Sequence, residues 1–215
     1  MLLALVDRLR CTGLHPETWL VARADAVDMG RMVSGVLGCP ICRVEREVRG
    51  SVVLWTGDAG PEYHTPGADA PDHAVDRDAA IRLGALLGFT ESSAPFVICG
   101  GEGAAATILA ALADAPIILM DPPDDRARSV ATIIRCAPAI PLAVGSARGI
   151  ALDETSDTAE RLDSAVRALA KGGRLVGPLS IAVPAGIREI ARDHRHWVGE
   201  REPDVIALGR ATARA

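Results

Sequence analysis

Short uninterrupted apolar runs alternate along this chain with longer segments whose apolar residues recur every three or four positions. The runs "APFVICGG" (94–101), "APIILMD" (115–121), "IPLAVG" (140–145) and "RLVGPLSIAV" (174–183) read as strands buried on both faces. The segments "DRDAAIRLGALLG" (76–88), "EGAAATILAALAD" (102–114), "DDRARSVATIIRCAP" (124–138), "TAERLDSAVRALAKGG" (158–173) and "AGIREIARDHR" (185–195) read as helices, several closed by glycine or proline. A last strand is expected at 204–211, "DVIALGRA", and between 145 and 158 there is room only for a very short one near 150–152, or for none. Strands and helices alternating at this spacing predict an α/β fold with a doubly wound, mostly parallel sheet. Ahead of it, residues 17–38 read as two β segments.

Charge divides the chain further. Residues 1–58 carry seven basic and seven acidic side chains; residues 59–76, "AGPEYHTPGADAPDHAVD", carry four acidic and no basic ones, with three prolines and two glycines. Such a stretch cannot sustain a helix or a central strand and reads as an acidic linker. The expected organisation is a small β-rich module at 1–58, the linker at 59–76 and an α/β domain at 77–215. Aromatics make up 3% of residues, which suits close helix-on-sheet packing better than a β-sandwich. A net charge of −5 argues against a broad nucleic-acid footprint. The apolar start "MLLALV" is interrupted by Asp7, Arg8 and Arg10, and no run approaches the ~20 apolar residues of a membrane span, so a cytoplasmic protein is expected.

Five cysteines in such a chain read as metal ligands and core thiols rather than as a disulfide framework. Cys39 and Cys42 flank Pro-Ile, and upstream Cys11 is followed four residues later by His15. Three thiolates and an imidazole suit tetrahedral Zn²⁺, here as a structural ion with no open position. His64 and His73 compete with His15 as fourth ligand. The competing readings of "CPIC" are a buried metal-free pair and a redox dithiol, the latter lacking its usual βαβ surroundings. Cys136 reads as a core thiol.

A second informative stretch is "PFVICGGEGAAATILAAL", where a buried strand runs into Gly100, Gly101 and Gly103 before a helix of small residues. Glycines there let the backbone approach a ligand, and Asp121, about twenty residues on, is placed to accept hydrogen bonds from ribose hydroxyls in a Rossmann-like sheet. The plain alternative is helix packing by the glycines and turn capping by Asp121 ahead of Pro122-Pro123. Asp153 and Glu154 read as substrate-orienting acids or as caps of the helix starting near Thr158, and "DHRH" at 193–196 as solvent-facing histidines on an Arg-rich helix rather than as a base or metal pair.

Residues 1–56, through "LLALVDRLRC", "GVLGCPIC" and "EVRGSVVLW", resemble a Trm112-type zinc ribbon. Residues 77–215, through "VICGGEG", the acid of "IILMDPP" and "LDSAVRALAKGGRLV", resemble a class I S-adenosylmethionine-dependent methyltransferase, with a closing antiparallel pair in "HWVGEREPDVIALGRA". The resemblance implies S-adenosylmethionine as cofactor, lined by Gly100, Gly101, Gly103 and Asp121, and a small-molecule or protein substrate. The sequence departs from that family where Val97 replaces an acid, where Cys99 replaces a glycine, where Ser146 follows the expected third strand, and where the substrate loop is short. The resemblance implies an S-adenosylmethionine-dependent methyltransferase-like protein with a structural zinc module, in which these departures put catalysis in question; the alternative is a non-catalytic binding or scaffold protein with a relic methyltransferase fold, paired with a partner subunit.

Overall fold

A computed structural model describes residues 1–55 and 76–202. The acidic stretch up to residue 75, with His64 and His73, and the strand expected at 204–211 lie outside the described residues.

The fold is mixed α/β, built on one eleven-stranded sheet among the described residues. At its centre lie five parallel strands in the order β7 (Thr132–Arg135), β6 (Ile117–Met120), β5 (Phe96–Cys99), β8 (Ala147–Ala151) and β9 (Leu169–Pro178). The chain adds β6 and β7 on one side of β5, then returns to place β8 on the other. This makes the β5–β8 boundary a topological switch point. Beyond β9, β11 (His196–Arg201) pairs antiparallel and carries β10 (Ile187–Arg192) at the edge. At the opposite end β4 (Val52–Leu54) lies parallel to β7, followed by β3 (Glu45–Arg49), β2 (Arg31–Gly38) and β1 (Val21–Asp28), each antiparallel to its neighbour. The strands of residues 1–55 thus continue the same sheet.

Burial explains the centre. All four residues of β5 and of β6 are buried, and their side chains alternate between two cores. Phe96, Ile98, Ile117 and Leu119 face one core, with Leu83 and Leu87 of α1 (Arg77–Leu87) and Leu109 of α2 (Ala106–Leu112). Val97, Cys99, Ile118 and Met120 face the other, with Ala165 and Ala168 of α3 (Ala159–Ala168). Asp76 caps α1 by accepting from the amides of Asp78 and Ala79, and Gly88 ends it at φ 63°.

The second face is completed by the first nine residues. A 3-10 segment, Leu3–Arg8, presents Leu5 to the core between buried Met1 and Leu9, against Ile140 and Leu142. Its backbone is fixed from the far half of the chain: the Leu2 amide donates to Thr132 Oγ1 at 3.0 Å, that of Arg10 to the Pro141 carbonyl at 2.9 Å, and that of Ala143 to the Arg8 carbonyl at 2.9 Å.

Several expected elements differ. The helix read at 124–138 is a 3-10 turn, Arg126–Ser129, followed by β7, because Ile133 and Ile134 pair with both β4 and β6. The strand read at 140–145 makes only an isolated bridge, Leu142 to Leu9. The strand near 150–152 is the five-residue β8, the fourth of the parallel set. The helix read at 158–173 ends at Ala168, since Leu169 opens β9; that strand runs over 169–178 rather than 174–183 and shifts register around Gly172, at φ 68°. The helix read at 185–195 is β10 and the loop after it; Ile187 and Ala191 mimic helical spacing, but pairing with β11 decides.

Trp197 on β11 is fully buried, lies across Gly177 of β9 where a Cβ would collide with its ring, and donates from Nε1 to the Ile181 carbonyl at 2.7 Å. Trp197→Ala is expected to cost about 3–5 kcal/mol in urea unfolding, whereas Leu112→Ala, at a position 52% exposed, stays within roughly 0.5 kcal/mol.

Candidate functional site

The loop after the first 3-10 segment closes on itself. Arg10 bridges Trp19, and the Cys11 amide donates to the Thr18 carbonyl at 3.0 Å, so residues 11–18 form a compact bulge. Across from it the β2–β3 connection turns tightly: the Cys39 amide donates to the Val44 carbonyl, the Arg43 amide to the Cys39 carbonyl, and Arg43 takes φ 60°. These two loops bring Cys11, His15, Cys39 and Cys42 together, with all four ligand atoms within 4.8 Å of one another.

Their spacing fits a tetrahedral ion. Bonds of about 2.3 Å to sulfur and 2.0 Å to nitrogen separate neighbouring ligands by roughly 3.5–3.8 Å. Cys11 Sγ lies 3.6 Å from Cys42 Sγ, and Cys39 Sγ lies 3.4 Å from His15 Nε2. His15 Nδ1 sits 2.8 Å from the Pro16 carbonyl, which can only accept, so Nδ1 carries the proton and Nε2 turns its lone pair to the thiols. The Gly13 amide reaches Cys11 Sγ at 3.4 Å, and the Val44 amide holds the Cys42 thiol below its ordinary pKa. The loop is also tied to its surroundings: Thr12 Oγ1 accepts from Trp55 Nε1 at 3.0 Å, and Glu17 Oε2 from Arg167 of α3 at 2.7 Å.

A cavity of about 660 Å³ opens at the switch point, outside the carboxyl ends of β5, β8 and β9. Its walls include Gly101, Asp153, Glu154, Ser180, His194 and His196. Gly100, at φ 57°, packs so closely on Asp153 that a Cβ would overlap its carboxylate. Asp153 in turn accepts from the hydroxyls of Thr155 at 2.9 Å and Ser156 at 2.7 Å. On the far wall, the amides of His196 and Arg195 hold Asp193 well below the usual carboxylate range, and Arg82 of α1 pairs with it.

Gly101 therefore lines the crevice. Gly103 packs against Pro122 and Leu119, where a Cβ would stand 3.1 Å from Pro122. Asp121 ends β6 at φ 50°, and its carboxylate is engaged: it accepts from the Cys136 amide and, at 3.1 Å, from Arg161 of α3. Val97 is fully buried in the core. Because the third parallel strand is β7, Cys136, not Ser146, stands near its end; Ser146 precedes β8 and donates to the Ala143 carbonyl. Thr158, not Asp153 or Glu154, caps α3. The "DHRH" histidines are not on a helix: His194 sits in the β10–β11 turn and His196 opens β11, and both reach the crevice wall. Sequence reasoning missed Ser180 and Arg161; no spacing marks either, because both are brought in by tertiary packing.

No family model matches the chain, nor does any curated protein. Among solved structures the chain is similar to methyltransferases. A geranyl diphosphate methyltransferase in complex with S-adenosylmethionine is 19% identical, with a TM-score of 0.42 over 49% of this chain and 49% of that one. The geranyl diphosphate C-methyltransferase of Streptomyces coelicolor A3(2) is 18% identical, with a TM-score of 0.41 over 46% of this chain and 44% of that one. A SAM-dependent O-methyltransferase of Thermotoga maritima is 14% identical, with a TM-score of 0.41 over 59% and 65%. The matched stretch spans about half the length of the geranyl diphosphate enzymes. Among the described residues no helix is long and apolar enough to cross a membrane.

Two thiols outside the cluster differ sharply. Cys99 is buried, and burial pushes its thiol up to about 11, while Cys136, expected in the core, is exposed just past the end of β7, its thiol raised by desolvation and by the Asp121 carboxylate. At pH 8 iodoacetamide is expected to alkylate Cys136 in the folded protein and to reach Cys99 only after denaturation, as read by peptide mass mapping.

Proposed function

We propose that this chain is a zinc-stabilised protein of the methyltransferase fold that binds S-adenosylmethionine at the switch-point crevice. The observation that carries the reading is the coincidence of the glycine turn after β5 with an open cavity outside the carboxyl ends of β5 and β8, the place where open α/β sheets bind ligands. The crevice chemistry supports it: Asp153 and Glu154 supply negative charge for a ligand bearing sulfonium and ammonium groups, Thr155 and Ser180 supply hydroxyls, and Gly101 leaves the backbone open. The cofactor, when bound, supplies an electrophilic methyl group; Asp153, braced by Thr155 and Ser156, would hold and orient it. The resemblance of "VICGGEG", "IILMDPP" and the closing antiparallel pair to class I methyltransferases names the cofactor.

Zinc in this reading is structural. Cys11, His15, Cys39 and Cys42 supply four protein ligands and leave no open position, so the ion binds the first loop to the β2–β3 turn in the manner of a zinc ribbon.

A second reading is favoured by one observation: the Asp121 carboxylate is already taken by Arg161 and the Cys136 amide, and Val97 stands where the family places an acid. On that reading the chain has lost cofactor and catalysis and serves as a binding module for a protein partner.

The two readings separate in a thermal-shift titration. S-adenosylmethionine at a hundred times its dissociation constant adds about 2.7 kcal/mol of stability, and no shift at millimolar ligand leaves the binding-module reading. For the metal, elemental analysis of protein purified without added zinc is expected to give one zinc per chain. Cys39→Ser should lose the ion and lower Tm; zinc-free protein of unchanged Tm overturns the metal assignment.

A further inference from the structure

We propose that Arg161 is a specificity-determining residue of the crevice: by holding the Asp121 carboxylate it withholds that group from a nucleoside's ribose hydroxyls, so the wild-type chain binds S-adenosylmethionine without reading its ribose. This rests on the S-adenosylmethionine reading above and adds to it which part of the ligand goes unrecognised.

Asp121 occupies the place where an acid meets ribose in Rossmann-like sheets. Met120 stands opposite Cys99 in the β5–β6 register, so Asp121 follows at the level of Gly100, the first residue of the glycine turn. Its carboxylate is turned the other way. Oδ1 accepts from the Cys136 amide at 2.5 Å and Oδ2 from Arg161 Nη2 at 3.1 Å; the same nitrogen donates to the Ala137 carbonyl at 2.6 Å. Cys136 and Ala137 follow β7, which flanks β6 on the side away from β5. Each carboxylate oxygen is thus committed toward the far side of β6. The crevice wall holds Gly101 and Asp153 but not Asp121.

The backbone builds this arrangement. Asp121 and Cys136 both take positive φ, 50° and 60°, and the Asp121 amide donates to the Ile134 carbonyl at 2.9 Å. Arg161 is the third residue of α3, and its amide donates to Oγ1 of the Thr158 cap. From that first turn its side chain reaches the end of β6 with only 13% of its surface exposed. A ribose hydroxyl brings no charge, so displacing the carboxylate in its favour would strand a largely buried guanidinium without its counter-charge.

The charges of Arg161, Asp153 and Asp121 are all felt at Cys99, the last residue of β5. Removing the guanidinium therefore favours a cationic ligand through charge alone, and neutral nucleosides are the probes that isolate the hydroxyls. Isothermal titration of the full chain is expected to give adenosine and dideoxyadenosine, which lacks both ring hydroxyls, affinities within roughly twofold of each other in the wild type. In Arg161→Met, which keeps the apolar stem and a good helix former, adenosine should bind about tenfold or more tighter than the dideoxy compound, and S-adenosylmethionine should bind tighter than in the wild type. Arg161→Ala should behave alike, and R161M/D121N should lose the discrimination; circular dichroism checks that each variant is folded. A wild-type chain that already prefers adenosine, an R161M variant that does not, or discrimination that survives in R161M/D121N overturns the proposal while leaving the cofactor reading in place. S-adenosylmethionine binding to neither the wild type nor R161M overturns both.

Discussion

Two central strands with no polar side chain impose the rule that the rest of the molecule obeys. Phe96–Cys99 and Ile117–Met120 are buried throughout, and their alternating side chains demand an apolar layer on each face of the sheet. On one face α1 and α2 supply it. On the other, the connection from β7 to β8 contains no helix, and α3 covers only part of the surface. Met1, Leu5 and Leu9 fill the remainder. The opening residues of the chain therefore serve as core for strands formed at 96–99 and 117–120, and the boundary between an early and a late part is crossed by side chains as well as by the β4–β7 ladder.

The metal-ligand loop belongs to this arrangement. It follows directly on the packed 3-10 segment, and Glu17 reaches from it to Arg167 on α3. The same helix carries Arg161, which holds Asp121 at the end of β6. One short helix thus touches both candidate sites, the cysteine cluster at one end and the rim of the glycine turn at the other. Exposed ion pairs such as Glu17–Arg167 contribute little stability singly, but they fix orientation where the backbone is irregular.

What could be read from the sequence followed the strength of each local signal. β5 and β6 stood out as dense apolar runs, α1 through its periodicity and Gly88, and Cys11, His15, Cys39 and Cys42 through ligand spacing; the structure brings those four side chains together. β7 was hidden because "TIIR" sits behind an Arg-rich stretch that continues its helical pattern, and only pairing on both sides makes it a strand. β10 was hidden for a related reason: at a sheet edge, exposed residues between Ile187 and Arg192 carry no alternation. The crevice was half legible. Gly101 and Asp153 were singled out, whereas Ser180 and the two histidines enter it through the β9 end, the β10–β11 turn and the start of β11, whose positions depend on strand order.

The hydrogen bond from Leu2 to Thr132 spans 130 positions. During synthesis at about 5–20 residues per second, Leu2 is polymerised roughly 7–26 seconds before its acceptor exists. For that interval Leu5 and Leu9 have no core to enter. Docking of this segment on the far face therefore follows the synthesis of Thr132 and of residues 140–143, so the two ends of the topology join only after the parallel strands between them exist.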